Sequence, residues 1–286
     1  MTMKDLGEGI SIFTWDIGDA DGIVFIGDIH GEYGVVMDAC NKVRKKVLVC
    51  CGDCGMGFAN PGYYDNQFRK MNRRLEKTDN RCVFIRGNHD DPNYFEGKAV
   101  GGWTPDDYPR IHMADRGWEF LRLVGSELKA CVLCGGGAVS VDRTMRVDGV
   151  TWWNDEGIVR ADPKEIAEAA TRAVDGIGSL VIATHSSPSL AGPLENKGVL
   201  TGWASVDSDI IRDCSDEREY LTGVARELCS SAVPVDGWWY GHFHKSYRGV
   251  MSEEKDENEN GVSWRCRYYG LDINEKYAWP GIETSE

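Results

Sequence analysis

The chain has 286 residues, 42% of them hydrophobic and 10% aromatic, which is enough to bury a large core and excludes a disordered chain. Its 46 acidic against 32 basic side chains give a formal net charge of -14, a surface that repels nucleic acid and anionic membrane. Any anionic ligand must therefore be held by a local concentration of positive charge. No apolar stretch approaches the roughly 20 residues of a membrane span, and the N-terminal MTMKDLGEGI lacks the basic-then-apolar pattern of a secretory signal, so no membrane association is expected and the cytosol is the expected compartment. Ten cysteines are too sparse in a chain of this length for a disulfide scaffold. Several sit inside apolar runs, as in VLVCCG and ACVLCGGG, and read as small buried hydrophobes.

In chain order, residues 22–26 read as a strand, and Val36, Ala39, Cys40 and Val43 then recur at helical spacing. Residues 46–51 form the next predicted strand, residues 64–77 a polar helix, and residues 82–85 a third strand. All three strands run straight into glycine-containing polar loops. From about Glu119 the apolar runs at 120–124 and 130–133 follow each other without long helices, as adjacent strands of a second sheet do. Residues 163–174 are a predicted helix, with Asp162 as N-cap, Pro163 in the first turn and Ile166, Ala170, Ala173 and Val174 as its apolar stripe. A strand at 180–183 precedes a segment, 186–216, that carries no pattern and is expected to be irregular. A helix at 217–231 and strands at 238–240, 246–250 and 262–269 complete the pattern. The acidic run 253–261 lacks the alternating ligands of a calcium loop and reads as a solvated hairpin tip. With no repeat and no Pro/Gly/Ser linker, one domain over residues 1–275 is expected, followed by a tail at 276–286.

The chemistry-bearing residues fall at strand ends. GDIHG places Asp28 and His30 two residues apart, CCGDCG supplies Asp53, and FIRGNHD supplies Asn88 and His89. VIATHSS supplies His185, and WWYGHFHKS supplies His242 and His244. Five of the six histidines thus sit in short loops directly after strands. A lone histidine is usually a satisfied structural residue; five placed alike, with two aspartates and an asparagine in matching settings, point to metal ligation. Imidazole with carboxylate and amide oxygen suits manganese, iron or zinc rather than a closed thiolate site. A four-cysteine zinc site from Cys51, Cys54, Cys131 and Cys134 is the rival reading, disfavoured because Asp53 interrupts the first pair and about 80 residues separate the two pairs.

The series Asp-x-His, Gly-Asp, Gly-Asn-His-Asp, strand-end His and Gly-His-x-His resembles the full motif set of the calcineurin-like metallophosphoesterases, in order, over about three quarters of the chain. The resemblance implies an α/β fold in which two packed mixed β-sheets are flanked by helices, a four-layer αββα sandwich. It further implies two divalent ions, manganese first with iron, zinc or nickel as alternatives. Asp28, His30, Asp53 and His244 would hold one; Asp53, Asn88, His185 and His242 would hold the other. Two such ions with two carboxylates and a bridging hydroxide leave a net positive centre, and in-line attack of that hydroxide on phosphorus is the implied reaction. His89 would act as general acid or transition-state stabiliser. Arg86 is a candidate phosphate clamp and Arg143 a candidate substrate contact, with Asp142 and Arg146 nearby in sequence. Substrates implied are a phosphorylated small molecule, a nucleotide or a phosphoprotein, with no stable nucleic-acid binding.

The protein serine/threonine phosphatases continue their second motif with an Asp and an Arg where this chain has Met56 and Gly57, so the phosphoprotein option is weakened and Asp90 or Asp91 is left as the candidate to orient His89. GDCGMGF, RGNHDDPNYF and GGGAVSVDRTMR followed by WWNDE look more like bacterial and phage members. Trp152 and Trp153 are candidates for an aromatic wall or for core packing. His112 stands outside every motif. A member of the fold that had become a catalytically weak metal-binding interaction module would have lost ligands or the catalytic histidine; none is missing here.

Overall fold

A computed structural model describes residues 2–96, 99–193, 197–253 and 264–279. The elements in order are β1 (Thr2–Gly7), β2 (Ile10–Gly18), β3 (Gly22–Ile26), α1 (Gly34–Lys42), β4 (Lys46–Cys50), α2 (Pro61–Lys77), β5 (Arg81–Phe84), β6 (Ile111–Met113), β7 (Trp118–Gly125), β8 (Lys129–Gly135), α3 (Pro163–Ala173), β9 (Leu180–Thr184), α4 (Lys197–Ala204), α5 (Ile210–Ser230), β10 (Val235–Tyr240), β11 (Tyr247–Glu253), β12 (Trp264–Gly270) and β13 (Lys276–Trp279).

The strands form two mixed sheets. One has eight strands in the order β1-β2-β7-β8-β9-β10-β12-β11, the other five in the order β13-β3-β4-β5-β6. Each central strand is apolar on both faces, and its period-2 alternation divides its side chains between two cores. In β3, Ile23 and Phe25 face one way and Val24 and Ile26 the other; β4 divides Val47 and Val49 from Leu48 and Cys50 in the same manner. The inner set packs against Leu121, Leu123, Val132, Val181 and Trp239 of the larger sheet, so the two sheets are stacked face to face. The outer face of the small sheet is covered by α1 and α2 through Val36, Tyr64, Phe68, Met71 and Leu75. The outer face of the large sheet is covered by α3 and α5 through Ile166, Ala170, Leu221, Val224 and Leu228. The result is the expected single α/β domain in four layers. No helix among the described residues is long and apolar enough to cross a membrane.

Several boundaries move for identifiable reasons. α2 starts at Pro61 rather than at 64 because Asn60 caps it, accepting from the Tyr63 amide at 3.0 Å. Asp162 caps α3 as expected, accepting from the Lys164 amide at 2.9 Å. The stretch 186–216 is not irregular throughout: it holds α4 and the first turns of α5. Their glycines, β-branched residues and aspartates give little helical propensity, and Arg143 ties this region down through ion pairs to Asp207 and Asp213 at 2.6 and 2.7 Å. The β1–β2 hairpin was not anticipated, since β1 is exposed along almost its whole length and offers no alternation. The tail expected from residue 276 is also corrected. Lys276–Trp279 forms β13, antiparallel to β3, with Tyr277 and Trp279 packed on the inter-sheet core. The rest of that tail and most of the acidic hairpin tip lie outside the described residues.

Candidate metal centre

Strands from both sheets deliver the site. β3, β4 and β5 run parallel and lead to Asp28, Asp53 and Asn88–His89; β9 and β10 run parallel in the other sheet and lead to His185 and to His242 and His244. The loops are stitched together by backbone bonds. The His30 amide donates to the Asp53 carbonyl at 2.7 Å, and across the sheets the His242 amide donates to the Asp28 carboxylate at 3.0 Å. To leave the strands so abruptly, His30, Asp53, His242 and His244 take left-handed φ angles of 43°, 46°, 68° and 49°. Four non-glycine residues in that region at one edge represent stored strain, roughly 1 kcal/mol or more each. Gly87 and Gly241 precede Asn88 and His242 because no side chain fits there: a Cβ would stand 2.1 Å from Asp53 Oδ1 and 2.0 Å from Asp28 Oδ1, respectively.

The seven side chains converge as two groups sharing Asp53. In the first, ligand atoms of Asp28, His30, Asp53 and His244 all lie within 4.8 Å of one another. His244 Nε2 is 3.1 Å from Asp28 Oδ2 and 3.0 Å from His30 Nε2. In the second, His185 Nε2 is 2.8 Å from Asn88 Oδ1 and 3.4 Å from Asp53 Oδ1, and His242 Nδ1 is 3.1 Å from Asn88 Oδ1.

The donor set fits a cation. His185 Nδ1 lies 2.8 Å from the Cys51 carbonyl, which can only accept, so Nδ1 carries a proton and, in the neutral ring, Nε2 presents a lone pair. Asn88 Nδ2 donates to Ser140 Oγ at 2.8 Å, which leaves Oδ1 facing that lone pair. Two acceptors 2.8 Å apart repel unless a positive charge lies against both. The carboxylates agree. Burial, Asp28 and Asp90 together push Asp53 well above the usual carboxylate range. Burial also works against ionised Asp28, but His185, the hydrogen bond with His244 and the His242 amide hold it below that range. Burial and His185 push His242 well below the usual histidine range, so its ring favours the neutral form in which one nitrogen is an acceptor.

His89 is held beside Asp53, its amide donating to Asp53 Oδ1 at 2.9 Å and its Nε2 4.0 Å from Asp53 Oδ2. Arg146 Nη2 approaches the His89 ring at 3.4 Å and is itself gripped by Asp142 through two contacts of 2.7 Å. Burial and Arg146 push His89 down to about 4, so its ring is neutral at pH 7. Neither Asp90 nor Asp91 orients it. Asp90 is buried and accepts four amides, those of Cys54, Gly55, Met56 and Gly87, at 2.7–2.9 Å, clamping the Asp53 loop to the Asn88 loop. Asp91 caps the short 3-10 turn of Pro92–Phe95. Met56 is buried, with Tyr33 Oη donating to its sulfur.

Two arginines are placed differently from the sequence expectation. Arg86 does not reach the cleft. It is fully buried, and its guanidinium donates to the carbonyls of Glu156, Gly157 and Gly136 at 2.7, 2.8 and 3.4 Å. Arg143 is engaged by Asp207 and Asp213 and does not line the cavity, whereas Arg146 does. A strand-end position does not reveal whether an arginine turns in or out. Ser140 and Glu156 lie inside the GGGAVSVDRTMR and WWNDE stretches but nothing singles them out there, and Glu217, in no motif, carries no signal. Trp152 and Trp153 form no wall of the cavity; Trp153 packs edge-on against Phe58, which does line it. Cys51, Cys54, Cys131 and Cys134 are buried free thiols, each pushed up by burial. His112 pairs with Glu119 at 2.6 Å and stacks on Phe13, away from the cleft.

The cavity over the cluster measures about 780 Å³. Its lining combines the polar cluster of His30, Asp53, Asn88, His89, His242 and His244 with the apolar Val139, Val141, Pro193, Leu200, Cys214 and Phe243, the last in ring contact with His242 at 4.8 Å. Glu217 also lines it, and burial raises it to about 7.

A sequence model of the calcineurin-like phosphoesterases matches residues 22–246. No curated protein sequence matches the chain. Among solved structures, a 5'-nucleotidase precursor from Thermus thermophilus aligns over 89% of this chain and 49% of its own, with 13% identity and a TM-score of 0.43. A putative 5'-nucleotidase from Staphylococcus aureus, solved with alpha-ketoglutarate, aligns over 90% and 51% with 11% identity and a TM-score of 0.44. The chain thus spans about half the length of these two proteins. The Thermus thermophilus protein TT1561 aligns over 91% of this chain and 98% of its own, with 10% identity and a TM-score of 0.44.

Proposed function

Because the chain belongs to the calcineurin-like phosphoesterase family, hydrolases of phosphoric esters, we propose that it cleaves a small phosphate ester at the cluster around Asp53, with two divalent ions as cofactors. The observation that carries this reading is the convergence of His185 Nε2, Asn88 Oδ1 and Asp53 Oδ1 at 2.8–3.4 Å, a set of acceptors in the neutral ring that a divalent cation would bind. Asp28, His30, Asp53 and His244 would hold one ion and Asp53, Asn88, His185 and His242 the other, manganese first, with iron, zinc and nickel compatible. Bound there, the ions would supply the positive charge that draws in a phosphate and would acidify a water for in-line attack.

The chain's own groups do the rest. His89, neutral and beside Arg146, would donate a hydrogen bond to a phosphoryl oxygen as charge builds there, a stabilising role rather than that of a general acid. Arg146, preset by Asp142, would add a charge-assisted bond to the same group. The apolar end of the cleft would receive the organic part of the ester, in a volume suited to small molecules, nucleotides included. Ten free cysteines fit a reducing compartment, and the cytosol is where we place the activity.

The test is a screen of aryl phosphates, aryl phosphodiesters and nucleotides with the chelator-stripped chain and with added manganese. Manganese-dependent hydrolysis that falls by about 10²–10⁴-fold in His89→Ala supports the reading. A metal-loaded chain that cleaves no ester in the panel would point instead to an interaction module that keeps the fold and the metal.

A further inference from the structure

Behind Asn88 lies a polar relay with no contact to the cleft's ligand-binding face. Asn88 Nδ2 donates to Ser140 Oγ at 2.8 Å, and Ser140 Oγ donates in turn to Glu156 Oε2 at 2.5 Å. The other Glu156 oxygen accepts the Ser140 amide at 2.7 Å. All three residues are buried, with 2%, 2% and 4% of their surfaces exposed. The Glu156 backbone is fixed as well: its carbonyl accepts Arg86 Nη1 at 2.7 Å and the Ala138 amide at 3.2 Å.

The direction of this relay follows from what each group can do. An ionised carboxylate only accepts, so it takes the single hydroxyl proton of Ser140. The serine oxygen is left as an acceptor, and the only donor Asn88 can offer it is Nδ2. The amide is thereby turned so that Oδ1, not Nδ2, faces His185 and His242. A side-chain amide has two nearly isosteric orientations, and the wrong one would aim N–H groups at a cation.

We propose that Glu156, acting through Ser140, is a positioning residue that sets the polarity of the Asn88 amide and so makes the ion site shared with His185 and His242 fillable. The proposal rests on the metal reading given above. It also assigns work to Arg86 in place of phosphate binding, since that guanidinium holds the backbone from which Glu156 projects.

The sharpest probe is Glu156→Gln, which keeps shape and volume but can hand an N–H to Ser140 Oγ. The serine proton would then point to Asn88 and reverse its amide. Manganese titration of chelator-stripped protein, followed by calorimetry, should give two ions for the wild-type chain. The second ion should bind about 10–100-fold more weakly in Glu156→Gln, and Ser140→Ala should behave likewise, with melting temperatures recorded alongside. A purely structural role predicts the same loss whatever stands at position 88. The relay predicts that Asn88→Asp, whose carboxylate presents oxygen in either orientation, makes the second ion insensitive to Glu156→Gln. The Asn88 side-chain amide resonances give an independent readout in the metal-free protein: they move in Glu156→Gln if the amide reverses. Two tightly held ions in Glu156→Gln, an equal loss in both backgrounds, or unmoved amide resonances overturn the relay. Fewer than two ions in the wild-type chain overturn the metal reading and the relay with it.

Discussion

In the polar end of the site Asp28, Asp53, Asn88, His185 and His242 each come within a few residues of a strand end, while in its apolar end Val139, Val141, Pro193 and Leu200 of the cavity lining come from connecting loops and the short α4. The first end is held by backbone: left-handed turns, glycines that admit no Cβ, and amides given to Asp28, Asp53 and Asp90. The second is held by side chains, notably Arg218, which donates to the carbonyls of Ser187, Pro188, Ala191 and Pro193 at 2.7–3.3 Å. Chemistry that tolerates little displacement is mounted on the rigid sheet edges, and the surface that meets the organic group sits on segments free to differ in length and composition.

The largest expected effect would break the metal end alone. Asp53→Asn withdraws the one charge shared by both ligand groups and should lower kcat/KM for an aryl phosphate by roughly 10³-fold or more, with His89→Ala adding little on top because the two act as a unit. Kinetics on the single and double variants checks this. Arg86→Ala addresses the scaffold behind that end. Three carbonyls lose a buried partner, so unfolding free energy should fall by about 3 kcal/mol or more, read as a melting point roughly 6–10 °C lower. A phosphate-clamping Arg86 would instead raise KM and leave the melt unchanged.

Glu217 is a buried acid in the cavity lining. Its folded value of about 7 lies above the ordinary 4.5, so between those values the folded chain holds a proton that the unfolded chain has released. The contribution of Glu217 to stability should therefore fall as pH rises through that window and level off above it, against the opposite contributions of His89 and His242. The difference between Glu217→Gln and wild type should isolate it, growing in favour of the variant to roughly 2 kcal/mol at pH 8 and staying small at pH 4.5 in chemical denaturation of the metal-free protein. The smallest effects separate the neighbouring arginines. Arg146→Ala should cost about 1.4 kcal/mol of transition-state binding, tenfold in kcat/KM. Arg143→Ala, which loses partly buried ion pairs outside the cavity, should lower stability by about 1 kcal/mol and change KM hardly at all.

Much of this molecule was legible because the relevant signals are local. The short apolar, β-branched runs at 22–26 and 46–51 and the glycine before each of Asp28, Asp53, Asn88 and His242 are read from a few neighbouring residues, and the sandwich followed from the motif series. What was not legible depends on contacts remote in sequence. Arg86 turns inward because carbonyls 50 to 71 residues away converge on it, and the start of α5 is met by Arg143, 64 and 70 residues before its partners Asp207 and Asp213. Ser140 and Glu156 lie in quoted stretches, but their link to Asn88 is not visible for the same reason: only the folded chain brings them behind it. The β1–β2 hairpin escaped because its outer strand buries almost nothing.

The account stands most directly on whether two ions occupy the two ligand groups that share Asp53. Crystals of the chain soaked in manganese, measured for anomalous scattering, should show one peak among Asp28, His30, Asp53 and His244 and a second among Asp53, Asn88, His185 and His242. A single peak, or manganese bound elsewhere while this cluster stays empty, would contradict it.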